Sequence, residues 1–136
     1  MAITETYAGN IQVIHGGDDY SFKASGALCE GRVVELNTGI TDTVTIQPAD
    51  ANSKVVLGYV GADWEANDYA VMYTGGIARL EDSGSGITIG TRVCADSSGT
   101  IKTLPSGQEA AIVGVALETI TASEFGKIFV NICYND

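Results

Sequence analysis

Val55-Val56-Leu57-Gly58-Tyr59-Val60 and Ala111-Ile112-Val113-Gly114-Val115-Ala116 are two short apolar runs of one design. Each is rich in β-branched residues and carries a glycine at its fourth place. Six residues suit a buried strand and fall short of an ordinary helix. Working outward, Gly31-Arg32-Val33-Val34 precedes the first run and Gly90-Thr91-Arg92-Val93 the second. The paired glycines lie 27 residues apart in the first copy and 24 in the second. A β-prone run follows each, Tyr69-Ala70-Val71-Met72-Tyr73 and then Lys127-Ile128-Phe129-Val130-Asn131. The chain therefore reads as a duplicated β-unit, with half-repeats over about 26–78 and 85–133.

A glycine inside an apolar strand marks a bulge, a bend or a close approach of another backbone. Gly58 and Gly114 stand at matching places, which predicts two equivalent bends in a pseudo-symmetric barrel. The fold class expected is all-β: a compact β-barrel or sandwich built from two similar β-units. Residues 25–136 form the single β domain. Residues 1–24 do not repeat, and are expected as an N-terminal extended arm or as edge strands on the same barrel.

Alternating and β-branched segments predict strands at 3–7, 10–14, 20–24, 32–36, 44–47, 55–61, 69–73, 77–80, 92–95, 100–104, 111–117 and 127–133. Two helical turns are expected, one at Asp63–Asp68 capped by Asp63, the other at Thr121–Glu124. No long 3.6-residue periodicity is present.

The 136 residues fit one domain. Seventeen acidic side chains against seven basic ones give a net charge of −10. A phosphate backbone repels such a surface unless the cations cluster. Lys23, Arg32, Lys54, Arg79, Arg92, Lys102 and Lys127 are scattered along the chain, so no direct nucleic-acid partner is expected. No apolar run approaches the ~20 residues that span a bilayer, and the first residues carry no basic and apolar leader pattern. Neither membrane insertion nor secretion is expected. Cys29, Cys94 and Cys133 are an odd number with no paired spacing, and read as buried, inert thiols.

Reactive chemistry is thin. His15, the single histidine, lies in Ile14-His15-Gly16-Gly17-Asp18-Asp19, where a metal would lack further nitrogen or sulfur ligands. The alternating ladder of a calcium loop is missing too. Ser83-Gly84-Ser85-Gly86 resembles a nucleophile elbow without a following helix, and no phosphate-binding glycine loop occurs. Carboxylate pairs such as Glu81/Asp82 and Asp63/Glu65 read as solvated surface. No catalytic residue, metal or cofactor is expected, and the chain is not expected to be an enzyme. Trp64 reads either as an anchor at the edge of the core or as an aromatic anchor in a subunit interface, where Trp and Tyr are enriched.

The sequence resembles the small capsid decoration (cement) proteins of tailed bacteriophages and related archaeal viruses. The resemblance runs from about Tyr20 to Ile132. It rests on residues 31–34, 55–60, Ala-Val-Met-Tyr-Thr-Gly-Gly-Ile-Ala at 70–78, Ile-Thr-Ile-Gly-Thr-Arg-Val at 87–93, Ile-Val-Gly-Val-Ala-Leu-Glu at 112–118 and the closing strand at 127–132. Tyr59 departs from the smaller residue more usual at its place, and Cys94 follows the second Arg-Val. The resemblance implies a non-enzymatic virion protein, made in the host cytoplasm and placed on the outer capsid surface. It implies a homotrimer that clamps major capsid protein subunits at three-fold or quasi-three-fold positions. Interface residues expected on this reading are Ile3, Tyr7, Gln12, Ile14, Trp64 and Tyr69, with the turn near Thr121 adding contacts. Rival readings are a tail-tube or head-fibre domain, and a carbohydrate-binding module that would need an exposed platform of Trp64, Tyr69 and Tyr73.

Overall fold

In the computed structural model, which describes residues 13–16 and 18–134, the strands build a closed five-stranded barrel and a six-stranded sheet that a single bridge rolls into a second barrel of similar design. The first takes β2 (Asp19–Ala24), β3 (Arg32–Leu36), β4 (Thr45–Pro48), β5 (Val56–Val60) and β6 (Tyr69–Tyr73). They close in the order β2-β4-β3-β5-β6. The second takes β7 (Gly75–Glu81), β8 (Arg92–Ala95), β9 (Ile101–Thr103), β10 (Ala111–Ala116) and β11 (Phe125–Tyr134). Its sheet runs β7-β11-β10-β8-β9, with β1 (Val13–Gly16) added at the free edge of β7.

The two closures match. In the first barrel β2 and β4 run parallel, with Ser25 N–H donating to Ile46 O at 3.0 Å. In the second, Asp82 and Ile101 make a single parallel bridge, with Ser83 N–H donating to Ile101 O at 2.9 Å. The all-β expectation holds. The repeat also reaches further back than the sequence shows. β2 has the place of β7, although Asp19-Tyr20-Ser21-Phe22 and Ile77-Ala78-Arg79-Leu80 share almost no side-chain character. β7 itself, which follows directly on β6 in the chain, belongs to the second barrel.

Gly58 and Gly114 explain why the central strands match. A Cβ on Gly58 would run into the carbonyl oxygen of Tyr73, and one on Gly114 into that of Phe129. In both strands the residue just before the glycine is bulged out of register. Pairing with β3 passes from Val34–Gly58 to Glu35–Val56, and pairing with β8 passes from Val93–Gly114 to Cys94–Ile112, while against β11 the extra residue lies on β11, between Val130 and Cys133. The bulge and the missing side chain together let each sheet bend tightly enough to close.

Two apolar clusters fill the molecule, and they are unequal. The first barrel holds Ala24, Leu28, Val34, Ile46, Val60, Ala70 and Met72, with Phe22, Leu57 and Trp64 at its edge. The larger cluster joins the second barrel's interior, including Leu80, Ile87, Val93, Ile101 and Ile128, to Val33, Ala49, Val56 and Tyr59 of the first. Period-2 alternation produces this split: Val34 and Val60 point inside the first barrel, while Val33 and Tyr59 point out of it and into the junction.

Tyr59 binds the two barrels chemically as well as by packing. It is fully buried, stacks on Tyr73 with centroids 5.7 Å apart, and donates from Oη to Gly75 O at 2.8 Å. A smaller residue there would leave the junction unfilled. Tyr134 Oη donates to Val56 O at 2.8 Å from the other side. Arg32 reaches across to Glu81 Oε1 (2.8 Å) and to Ser98 O (3.0 Å).

The two expected helical turns are extended bridges followed by tight turns. Trp64 exchanges backbone hydrogen bonds with Leu28, and Ile120 does the same with Ile87. Asn67 and Ser123 then turn the chain at φ of 71° and 64°. Asp63 does not cap a helix; its Oδ1 accepts from Glu30 N–H at 2.8 Å. A bridge to a partner distant in the chain outweighs the local preference for a capped turn, and Asn and Ser tolerate the left-handed conformation it needs. Ser97–Gly99 forms a single 3-10 turn.

The cysteines also differ from expectation. Cys94 is buried, but Cys29 and Cys133 are exposed free thiols. Burial pushes the Cys94 thiol above its ordinary pKa, and Asp96 adds to the rise while Lys102 opposes it.

Candidate interaction surface

The outer face of the second barrel is the molecule's most distinctive surface. β11 alternates, with Ile128 and Val130 buried and Phe125, Lys127, Phe129 and Asn131 outside. Partners directly across an antiparallel ladder share a face. Phe129 therefore stands between Ile77 on β7 and Val115 on β10, and Val115 stands beside Arg92 on β8. This gives one row across four strands: Ile77, Phe129, Val115, Arg92. Phe129 is 48% exposed, and Ile77 and Val115 are half-buried.

The next row is basic. Lys127 lies directly opposite Arg79, both exposed. Like charges directly opposed are unfavourable in a strand pair. Arg79, Lys127 and Arg92 make no ion pair among the described residues, whereas Arg32, Lys54 and Lys102 are each bridged to an acid. Three cations scattered along the sequence thus meet on one face of an acidic protein. Sequence reading missed this because they come from β7, β8 and β11, which only the ladder registers bring together.

The residues singled out from sequence fall elsewhere. Ile3, Tyr7 and Gln12 lie outside the described residues. Ile14 and His15 lie on β1, with His15 paired to Ile77. Trp64 is half-buried against the first barrel's core, and its Nε1 donates to no group among the described residues. Tyr69 begins β6 opposite Lys23 and is 70% exposed. Tyr73 sits at the junction on Tyr59. Trp64, Tyr69 and Tyr73 therefore do not share one open platform.

Buried polar groups elsewhere serve the fold. Asp82 is buried at the end of β7, and its Oδ2 accepts from the N–H groups of Gly84, Gly86 and Ser123 at 2.9–3.1 Å. It stitches the 82–86 turn to the 121–124 turn. Glu35 is buried too, accepting from Asp50 N–H at 3.0 Å and Gln47 Nε2 at 2.6 Å. An open cleft of about 730 Å³ lies over Thr91, Arg92 and the 104–109 loop. Its ionisable groups are Arg92 and Glu109, and Glu109 is engaged by Lys54 at 2.8 Å. Among the described residues no three His, Cys, Asp or Glu side chains gather as a metal site.

The whole arrangement is similar to a solved structure, the N base of head fibre gp8.5 in bacteriophage phi29. The match covers 88% of this chain and 98% of that one, with a TM-score of 0.65 and 17% identity. The likeness is one of fold. No protein-family model matches the chain, and no curated protein matches it. The twin-barrel architecture is thus found in the base of a phage head fibre, although a shared fold does not by itself carry a shared role.

Proposed function

We propose that this protein is a virion structural component, carried on the outer surface of a viral head and bound to the major capsid protein. The observation that carries the reading is the match to the phi29 head-fibre N base along nearly the whole of that solved chain. The duplicated glycine-and-valine pattern, which resembles the decoration proteins, points the same way independently. The protein performs no reaction on this reading: its buried carboxylates accept hydrogen bonds from turns, and its cleft gathers no set of converging ionisable groups.

Two forms of the role have comparable support. As a decoration protein it clamps neighbouring capsid subunits at three-fold or quasi-three-fold positions as a homotrimer. As a head-fibre base it seats a projecting fibre at such a position. In both, several weak contacts made by linked copies add through effective concentration. Residues 1–15 and the turns around Trp64 and Thr121 supply contacts to the shell, and the segment ahead of β1 adds to a sheet edge on the capsid. Nothing in the described surface favours the carbohydrate-binding alternative.

Electron microscopy of particles assembled with and without this chain tests the role. Density for the twin barrel on the outer shell is the expected result. Particles that bind none of it refute the proposal. Deleting residues 1–15 lowers occupancy if that segment reaches the shell, and unchanged occupancy removes it from the contact.

A further inference from the structure

We propose that the outer face of the second barrel is a docking site for an extended segment of another protein, one whose side chains on one face read acidic, apolar, acidic. The site does not depend on the shell-binding role.

The ladder registers assemble its apolar centre. Leu117 N–H donates to Lys127 O at 2.9 Å, which carries the β10–β11 pairing one step past Ala116. Leu117 therefore stands opposite Lys127, on the same face as Val115 two residues earlier. Phe129, Val115 and Leu117 make one apolar patch on two neighbouring strands, with Phe129 48% and Leu117 41% exposed. Ile77 extends it onto β7.

Cations bound this patch on two sides. Arg79 and Lys127 oppose each other beside Ile77 and Phe129, and Arg92 stands past Val115. The acids beside them are already engaged. Glu81 is held by Arg32 at 2.8 Å, and Glu118 accepts from the backbone N–H of Lys127 at 2.9 Å. A protein of net charge −10 thus gathers three like charges without counterions among the described residues. Opposing Arg79 to Lys127 costs the sheet stability, and a partner's carboxylate offsets that cost. A phosphate chain fits less well, because the net negative charge repels it and the apolar centre gives it nothing to bind.

Spacing sets the pattern of the occupant. Arg92 lies two strands aside from Lys127 and two residues further along, a separation of roughly 12 Å at the ordinary strand spacing and rise. Positions i and i+4 of an extended chain are about 13 Å apart and share a face. One carboxylate then meets Arg79 and Lys127, the second meets Arg92, and the side chain between them lies on Phe129, Val115 and Leu117. Arg92 also lines the open cleft over the 104–109 loop, which leaves room for the segment to continue past the sheet. An apolar centre inside a charge-matched rim is the usual anatomy of a specific interface.

Fluorescence anisotropy of the full chain with a labelled, end-blocked peptide, Thr-Glu-Thr-Leu-Thr-Glu-Thr, tests this at low ionic strength. Binding is expected to be about tenfold tighter than for the counterpart with Gln in place of Glu, since each exposed charge pair adds little alone. Replacing the peptide's Leu by Ser, or Phe129→Ala in the protein, is expected to weaken binding several-fold. Arg79→Glu/Lys127→Glu/Arg92→Glu is expected to reverse the preference, toward the counterpart with Lys in place of Glu. That gain also shows that the variant is folded. Four results overturn the proposal. The first is equal binding of the Glu and Gln peptides. The second is competition by polyglutamate or duplex DNA as effective as the probe itself, which would make the face a general polyanion surface. The third is a gain of about tenfold or more on deleting residues 1–12, which would make the chain's own leading segment the occupant. The fourth is a concentration-dependent oligomer of the wild type that the triple variant loses, which would give the face to a second copy.

Discussion

The carbonyl oxygen of Tyr73 sits where a side chain on Gly58 would begin, and that of Phe129 does the same over Gly114. Neither glycine has positive φ, so the requirement at both is space. Each barrel bends at this contact.

Gly58→Ala and Gly114→Ala should therefore each destabilise by about 3 kcal/mol, at the upper end of ordinary overpacking because a backbone carbonyl is the obstacle. Gly26 is the control. It has open space around it and no positive φ, so Gly26→Ala should be neutral or stabilising by up to about 1 kcal/mol. Urea unfolding of the three variants checks the contrast. Equal midpoints would remove the close approach from the account.

Tyr59→Phe keeps the ring in the junction and removes only the donor to Gly75 O. The stranded carbonyl should cost about 1–2 kcal/mol. The pH dependence has a definite sign. Burial, reinforced by Tyr73, raises the Tyr59 pKa above its ordinary value near 10. The folded state then holds its proton longer than the unfolded chain does. This stabilisation is fully present below about pH 10 and is lost as pH rises beyond it. Unfolding midpoints should fall above pH 10 in wild type and fall less in Tyr59→Phe. Identical alkaline profiles would contradict the burial.

The thiols should divide two and one. Cys29 and Cys133 are exposed, while Cys94 is buried with its pKa pushed up. A thiol-reactive label added to folded protein should attach at two sites within the time that Cys94 stays unmodified, and at the third only after denaturant. Peptide mass mapping reads the sites directly. Rapid labelling of Cys94 in the native protein would mean that β8 opens far more readily than its packing suggests.

Asp82→Ala should cost more than Asp82→Asn. The alanine leaves three backbone donors without their shared acceptor, whereas asparagine retains one oxygen in place. A loss of about 2–4 kcal/mol is expected for alanine, since bonds to a charged acceptor run at about 1.5–3 kcal/mol each and part of the loss is recovered by water. Thermal unfolding of the pair measures the difference. Equal loss would show that the carboxylate does not organise the two turns.

Much of the strand pattern was legible in the chain. Residues 32–36, 69–73 and 92–95 stand as strands with the bounds that their alternation and flanking turns indicate. Gly58 and Gly114 announced themselves because a glycine within a valine-rich strand signals a bend or a close backbone approach. The helical turns at 63–68 and 121–124 were misread because their local signals were genuine. Asp63 is a good cap and the flanking residues are polar, but Leu28 and Ile87 supply bridge partners from far away in the chain. The basic face was illegible for the same reason. Arg79 and Lys127 are neighbours only through the β7–β11 register, and no linear spacing encodes that. The role of Tyr59 was half visible, as a large residue at a place where small ones are usual.

One asymmetry between the halves has a consequence for biosynthesis. The first barrel's cluster draws only on residues 22–72, whereas the second barrel's cluster borrows Val33, Ala49, Val56 and Tyr59. The dependence runs one way, and it runs in the order of translation. The amino-terminal half can condense as it clears the ribosome, before its twin exists. The carboxy-terminal half then emerges beside a finished wall, and its final strand, β11, completes both its own barrel and the seam between the two.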